Sequence, residues 1–496
     1  MPTDVQGLIK QRIGQFVGEL EAKVSAWLAV RDAVAFRAME LEMAAHGREV
    51  GDDVVAIILQ AIVRDVKFQV EASLAARDAL GMRSGGRRTV AVTLLGGSKA
   101  AVPVEYIKPD YRTRPRRGRR RKGRGEGGAG CYPVLAALGI AFGVTPALGG
   151  EICRQVADSD SVRAGRAALD RRGIDLGHQR TLRIVNHFGH RAVEQRDRWL
   201  ERARQQPAVR GLLARCRVAI ATDGGRIRER KALPGRRNAK TRHHRYEAPW
   251  REPKLLTIYV VDARGLVADS FTPIYDGTMG DCDVVFAMLL GYLRALGAHE
   301  ASELIVLGDG AKWIWERVDA LAAGLGIDPD RVSEVVDWCH AVQTLFAIAD
   351  ARSHWKGAEK EAWIRRAKGH LHAGDIDEVL AAIEDLAVGR GAKGVLEHRD
   401  YFDRNRDRMQ YASFEGAGIP TGSGAIESAV RRVINMRLKS NGMFWLEVNV
   451  EGMLLLRSYL KAGHFDNLVD WSSASAAPWW PAHAQASSSP FTQAAA

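Results

Sequence analysis

The chain is poor in cysteine and holds no long apolar run. Its five cysteines among 496 residues (Cys131, Cys153, Cys216, Cys282 and Cys339) are odd in number and scattered, with no Cys-x-x-Cys pair. Neither a disulfide framework nor a four-thiolate zinc site is expected from such spacing. No stretch approaches the ~18–20 apolar residues that cross a bilayer. The opening residues, MPTDVQGLIKQRIGQF, lack the basic-then-apolar pattern of a secretory signal. The expectation is a cytoplasmic protein of two or three structural units, without a membrane partner.

What the chain does have is concentrated positive charge. Residues 112–124 (RTRPRRGRRRKGR) hold nine Lys/Arg and no acid, and residues 226–245 hold nine more against the single acid Glu229. These two segments carry +17 of a whole-chain +13, so the remainder has a formal charge of −4. Lys and Arg gathered in this way form the footprint of a polyanion, because neutralised phosphates release condensed counterions. The expected phosphate contacts are Arg116, Arg117, Arg119, Arg120, Arg121 and Lys122 in the first segment. Arg226, Arg228, Arg236 and Arg237 are those in the second.

Periodicity divides the chain. Residues 1–85 read as helical, with Leu8, Ile9, Ile13, Phe16, Val17 and Leu20 at helical spacing. Residues 86–131 contain two short strands, RTVAVTLL and AAVPVEYI, and then the arginine-rich linker. Residues 132–210 read as helices around a Gly173 turn, compatible with a helix-turn-helix or with a plain helical layer. From 211 to 346 the order is strand, strand, strand, helix, strand, helix, strand. That order implies a mixed sheet flanked by helices, as in the ribonuclease H-like fold, with 409–462 completing the core. Residues 347–408 read as a helical insertion. Residues 463–496, rich in Ser, Ala and Pro, are expected to be disordered.

Three acids stand out. Asp223 ends the apolar run RVAIATD, and Asp309 ends ELIVLGD ahead of a helical pattern that rules out a tight hairpin. Carboxylates at the ends of sheet strands lie where open α/β sheets gather their sites. Glu427 sits one turn into the basic helix of GIPTGSGAIESAVRRVINMRLKSNGMFW (residues 418–445). There a helix dipole or an ion pair with Arg431 would account for it structurally. The glycines before it point to close backbone approach. Arg431, Arg432, Arg437 and Lys439 follow as further phosphate contacts. Asp276-Gly277 is expected to be a loop. His340 is a secondary candidate as proton or hydrogen-bond donor. Phosphodiester chemistry requires an activated nucleophile and a stabilised leaving oxygen. Two magnesium ions held by a few carboxylates supply both.

TDGGRIR, WREPKLLTIYVVD, LGDGAKWIWERV, DWCHAVQTL and the block from Gly418 onward resemble bacterial insertion-sequence transposases of the ISKra group, over roughly residues 140–460. These belong to the DDE class and are related in layout to Mutator-like elements. The resemblance implies Asp223, Asp309 and Glu427 as catalytic metal ligands for Mg2+, with Mn2+ a substitute. It also implies a helical insertion before Glu427, and Asp337 with His340 as the Cys-or-Asp, two residues, His motif. The implied partner is double-stranded DNA, at element ends and target, bound by a homo-oligomer of a bacterial, nucleoid-associated protein with no small-molecule substrate. Paired cysteines expected before Pro133 are missing, since only Cys131 stands there. A ribonuclease H-like nuclease without strand transfer and an inactive DNA-binding derivative are the alternatives.

Overall fold

The computed structural model describes residues 4–109, 130–208, 210–240, 244–352, 357–389, 392–439, 442–474, 477–480 and 490–491. The Arg-rich run at 112–124, with its six expected phosphate contacts, lies outside them. The chain forms two units, Met1–Gln195 with Phe465–Pro490, and Arg196–His464 with Phe491–Ala496. Among the described residues no helix is long and apolar enough to cross a membrane.

The first unit opens with three helices, α1 (Val5–Leu28), α2 (Ala33–Arg64) and α3 (Val66–Leu80). Asp32 caps α2 by accepting from the Val34 and Ala35 amides, and Asp65 caps α3 through the Phe68 amide. An antiparallel hairpin follows, β1 (Met82–Thr93) and β2 (Lys99–Pro109). β1 starts six residues before the expected strand, so the expected boundary at 85/86 falls inside it. The buried Asp52 of α2 accepts from the Gly96 and Ser98 amides and holds the turn. Val92, Val102 and Val104 pack with Leu59, Val63, Val134 and Leu135 in one core. A short helix, α4 (Pro133–Ala137), precedes the expected helices α5 (Pro146–Asp158), α6 (Val162–Asp170) and α7 (His178–Gln205), the last of which passes into the second unit at Arg196. The Arg180 guanidinium donates to the carbonyls of Phe142 and Gly143 and to Thr93 Oγ1, so it ties α7 to the hairpin segment.

In the second unit, β3 (Arg217–Gly224) leads into a narrow ribbon. In it β4 (Ile227–Arg228) pairs with β7 (Trp250–Arg251), and β5 (Lys231–Ala232) with β6 (Tyr246–Glu247). Then follow β8 (Lys254–Val261), β9 (Ile274–Thr278), α8 (Cys282–Ala295), β10 (Glu303–Gly308), α9 (Lys312–Trp315), α10 (Val318–Leu325) and β11 (Val332–Val336). A five-stranded mixed sheet results, in the order β11-β10-β3-β8-β9. β11, β10 and β3 run parallel, and β8 pairs antiparallel with both β3 and β9. Helices pack against it, and the strands are buried almost end to end, which explains their unbroken apolar sequences.

Beyond the sheet come α11 (Trp338–Asp350), α12 (Gly357–Ala373), α13 (Ile376–Leu386), α14 (Ala392–Leu396), α15 (Arg399–Arg404) and α16 (Tyr411–Gly416). The insertion expected from 347 has apolar packing of its own, with Trp363, Leu371, Val379, Ile383 and Phe402 buried. α17 (Gly424–Val430) runs into a π-helical turn (Arg431–Asn435) and packs on β3 and β8, while α18 (Glu447–Ala462) packs on β9.

Two expectations fail here. Residues 463–496 are not uniformly disordered, because α19 (Phe465–Ala474) is a helix with Phe465, Leu468 and Trp471 buried. Apolar spacing at every third residue outweighs the polar composition around it. Asp276-Gly277 is not a loop, since both residues lie inside β9 and Asp276 is 0% exposed.

Candidate functional site

Strand register places the acids. Ala221 of β3 lies opposite Leu307 of β10, and Gly308 of β10 opposite Val336 of β11. Asp223, Asp309 and Asp337 therefore stand level with one another at the C-terminal ends of three adjacent parallel strands. Neighbouring strands lie only ~4.8 Å apart, so the fold gathers three carboxylates along one edge. Asp309 is exposed and Asp223 half-buried.

Asp337 is the anchor of this edge. It is 1% exposed, and its amide donates to the Gly308 carbonyl at 2.8 Å. Its Oδ1 caps α11 by accepting from the His340 amide at 2.8 Å and lies 3.2 Å from His340 Nδ1. Its Oδ2 accepts from the Ser423 amide. The Trp338 amide also donates to the Thr421 carbonyl at 2.9 Å. The loop ahead of α17 is thus sewn to the start of α11, and this brings Glu427 to the row of acids. Ligand atoms of Asp337, His340 and Glu427 all lie within 4.8 Å of one another.

The glycines around Glu427 do less than expected. A Cβ on Gly424 would meet open space, and one on Gly422 an ordinary contact at 3.9 Å from Asp337. Close approach occurs at Gly418 instead. Its φ is +63°, and a Cβ there would fall 2.0 Å from the Ala263 carbonyl oxygen. Arg217 fixes this bend by donating to the Gly418 carbonyl at 2.9 Å.

The electrostatics tie the five groups together. Burial pushes the Asp223 carboxyl up, and the negative charges of Asp309 and Glu427 push it further, against the Gly224 amide and His340. The hydrogen bond that the His340 ring makes to the Asp337 carboxylate raises His340, with the charges of Asp337, Asp309 and Glu427 adding to it. Burial opposes ionisation of Asp337. The His340 ring and the Ser423 and His340 amides outweigh it and hold the carboxyl at about 2. Among the described residues, no Lys or Arg forms an ion pair with Asp223, Asp309 or Glu427, Arg431 included.

Such a donor set, carboxylate oxygens at the end of a sheet with no cationic side chain paired to them, suits a hard divalent cation. Asp337 is the least free of the acids, because both its oxygens already accept hydrogen bonds. Its chemistry is that of a positioning residue, holding the His340 ring at Nδ1. The resemblance paired Asp337 with His340 in a motif, but the sequence reading did not count Asp337 among the acids of the site. The signal was present: an acid closing the apolar strand VSEVV, as Asp223 and Asp309 close theirs. Tyr401 of α15 donates to the Asp309 carbonyl at 3.1 Å and was not foreseen either.

The basic residues divide. Arg226, Arg228, Arg236, Arg237, Arg431 and Lys439 are exposed. Arg432 is half-buried and donates to the Tyr275 hydroxyl at 2.9 Å. Arg437 does not fit a phosphate contact. It is 2% exposed, its guanidinium lies 5.2 Å from the centre of the Trp445 ring, and it donates to the Met443 sulfur.

No family model, curated protein or solved structure matches the chain. The site therefore has to be argued from its own geometry.

Proposed function

We propose that the chain is a DNA transposase of the DDE class with a ribonuclease H-like core. It binds the terminal inverted repeats of an insertion sequence and catalyses metal-dependent strand cleavage and strand transfer. The observation that carries this reading is the row of Asp223, Asp309 and Asp337 on adjacent parallel strands, with Glu427 brought from a distant helix to within 4.8 Å of Asp337 and His340. The sheet order supports it too: a β3-β8-β9 antiparallel meander extended by parallel β10 and β11 is the layout such a core requires.

Asp223, Asp309 and Glu427 would hold Mg2+, or Mn2+ in its place. A metal held there would supply activation of an attacking water or 3′-hydroxyl and stabilisation of the leaving oxygen. The chain's own residues do the rest. Asp337 fixes the orientation of His340, whose protonated ring, favoured by the surrounding carboxylates, can donate to a phosphate oxygen of the strand being cut. Ser423, held by Asp337, sets where α17 starts and so where Glu427 stands. Exposed Arg431 and Lys439, after Glu427 in the chain, and Arg226, just after Asp223, would give the DNA backbone cationic contacts.

The test is cleavage of end-labelled DNA carrying the gene's native flanking sequences, with magnesium, by the unaltered protein and by Asp309→Asn. Cut and joined products from the unaltered protein alone support the proposal. Cutting without joining would favour a nuclease, and binding without cutting an inactive derivative.

A further inference from the structure

The ribbon that follows Asp223 presents a second surface that the acids do not use. Along its first strand Ile227 and Glu229 turn inward and are buried, while Arg228 is exposed and Arg230 half-buried. Arg228 lies directly opposite Trp250 in the β4–β7 pairing. Its guanidinium stands 4.9 Å from the centre of the Trp250 ring and 6.0 Å from that of Phe444. Phe444 meets Tyr246 edge-on at 5.6 Å, and Arg230 lies 4.3 Å over Tyr246. Arginine and aromatic rings thus alternate in one continuous ladder: Arg230, Tyr246, Phe444, Arg228, Trp250.

The ladder is open to solvent, with Trp250 50% and Tyr246 42% exposed. Large aromatic rings left open and rimmed by arginine mark an interaction surface. Its charge says which partner fits. Residues 226–251 hold ten Lys/Arg against two acids, and both acids are already paired, Glu229 with Arg251 at 3.1 Å and Glu247 with Lys231 at 3.7 Å. A polyanion with flat π faces satisfies both features. Duplex DNA hides its base faces in the stack, whereas unpaired nucleotides expose them to aromatic rings and guanidinium planes. The ribbon is also fixed to both arms of the acid site. It begins three residues after Gly224, and the Arg230 amide donates to the Trp445 carbonyl, in the segment that follows Glu427.

We infer that the outward face of this ribbon binds an unpaired stretch of DNA, with bases stacked on Trp250 and Tyr246 and phosphates met by the flanking arginines. The inference rests on the nucleic-acid reading of the acid site and adds to it a single-strand site beside the place of cutting. A DNA strand freed by opening or nicking would be held there.

The experiment measures binding of labelled oligothymidylate and of a blunt duplex of equal length to the full chain in EDTA, where no cleavage takes place. Trp250→Ala and Tyr246→Ala should each weaken oligothymidylate binding by about five-fold or more, in line with the alanine cost of one base–aromatic stack. Duplex affinity should change less than about two-fold. Trp250→Phe should retain single-strand binding, and Trp250→Leu, which keeps apolar bulk without a π face, should not. Equal melting temperatures across the series exclude unfolding as the cause. Unchanged oligothymidylate binding in the alanine variants, equal losses on both DNAs, or full binding by Trp250→Leu would overturn the inference. Cleavage by the unaltered protein with magnesium is scored separately, so failure of the ladder and failure of the transposase reading are told apart.

Discussion

Asp276 and Asp309 are each followed by glycine and each preceded by apolar residues, yet their surroundings are opposite. Asp276 is sealed in the sheet. Arg196 Nη1 is 3.2 Å from its Oδ1, the Tyr292 hydroxyl donates to its Oδ2 at 2.5 Å, and the Gly277 amide donates at 2.7 Å. Glu451 joins from α18, bound to the same guanidinium at 3.0 Å. Burial pushes the Asp276 carboxyl up, and Arg196, Tyr292 and the amide offset part of that. Asp309 by contrast is exposed and accepts from the Ala311 amide at 3.0 Å. One cluster is a carboxylate neutralised by a basic partner inside the fold. The other is a row of carboxylates at the sheet edge, of which Asp309 and Glu427 are exposed and none is paired with a lysine or arginine among the described residues. An acid's role here is decided by what distant segments bring to it, not by the residues next to it in sequence.

The contrast can be broken by mutation, and the largest effect is expected on activity. Asp309→Asn should abolish strand cleavage while shifting folding stability by no more than about 0.5 kcal/mol, as for a surface change. Cleavage assays and denaturant melts on the same preparation check both halves. Arg196→Met should do the reverse to stability and cost about 3–5 kcal/mol, because it leaves Asp276 buried and uncompensated. Arg196→Met combined with Asp276→Leu should recover much of that loss. A single variant as stable as the unaltered protein would show that the buried pair is not the support described.

Asp337 joins the two classes, being buried like Asp276 yet part of the site. Its carboxyl titrates at about 2 in the folded chain, below the ~3.9 of an unfolded aspartate. A group depressed in this way stabilises the fold fully above about pH 4–5, here by about 2–3 kcal/mol, and the contribution fades as pH falls toward 2. Asp337→Asn should therefore be less stable at pH 6 and approach the unaltered protein as pH drops through that window. Parallel stability curves down to pH 2 would contradict the assignment. The smallest effect concerns Arg431. Arg431→Gln should lower duplex affinity a few-fold and reduce the salt slope by about 0.9, the share of one phosphate contact. An unchanged slope removes Arg431 from the interface.

Much of the sheet can be read from the sequence because its strands are buried on both sides and appear as short apolar runs closed by glycine or acid. RVAIATD, ELIVLGD and RVSEVVD each mark a parallel strand, and the acids at their ends are the site. What the sequence hides depends on partners far along the chain. Asp276 looked like a turn because Arg196, Tyr292 and Glu451 are not its neighbours in sequence. Arg437 looked like a phosphate contact because its basic run resembles a solvated face, while Trp445 and Met443 come round to enclose it. Asp337 was overshadowed by His340, and only strand register sets it level with Asp223 and Asp309. The helix Phe465–Ala474 was masked by the Ser- and Ala-rich composition of the residues after it.

The central claim is that Glu427, carried in by α17, completes a catalytic set with Asp223 and Asp309. Its most direct test is a two-plasmid transposition assay with a marker placed between the gene's native flanking sequences, comparing the unaltered protein with Glu427→Ala at matched expression. The account predicts movement of the marker with the unaltered protein and none with Glu427→Ala; equal movement with both would contradict it.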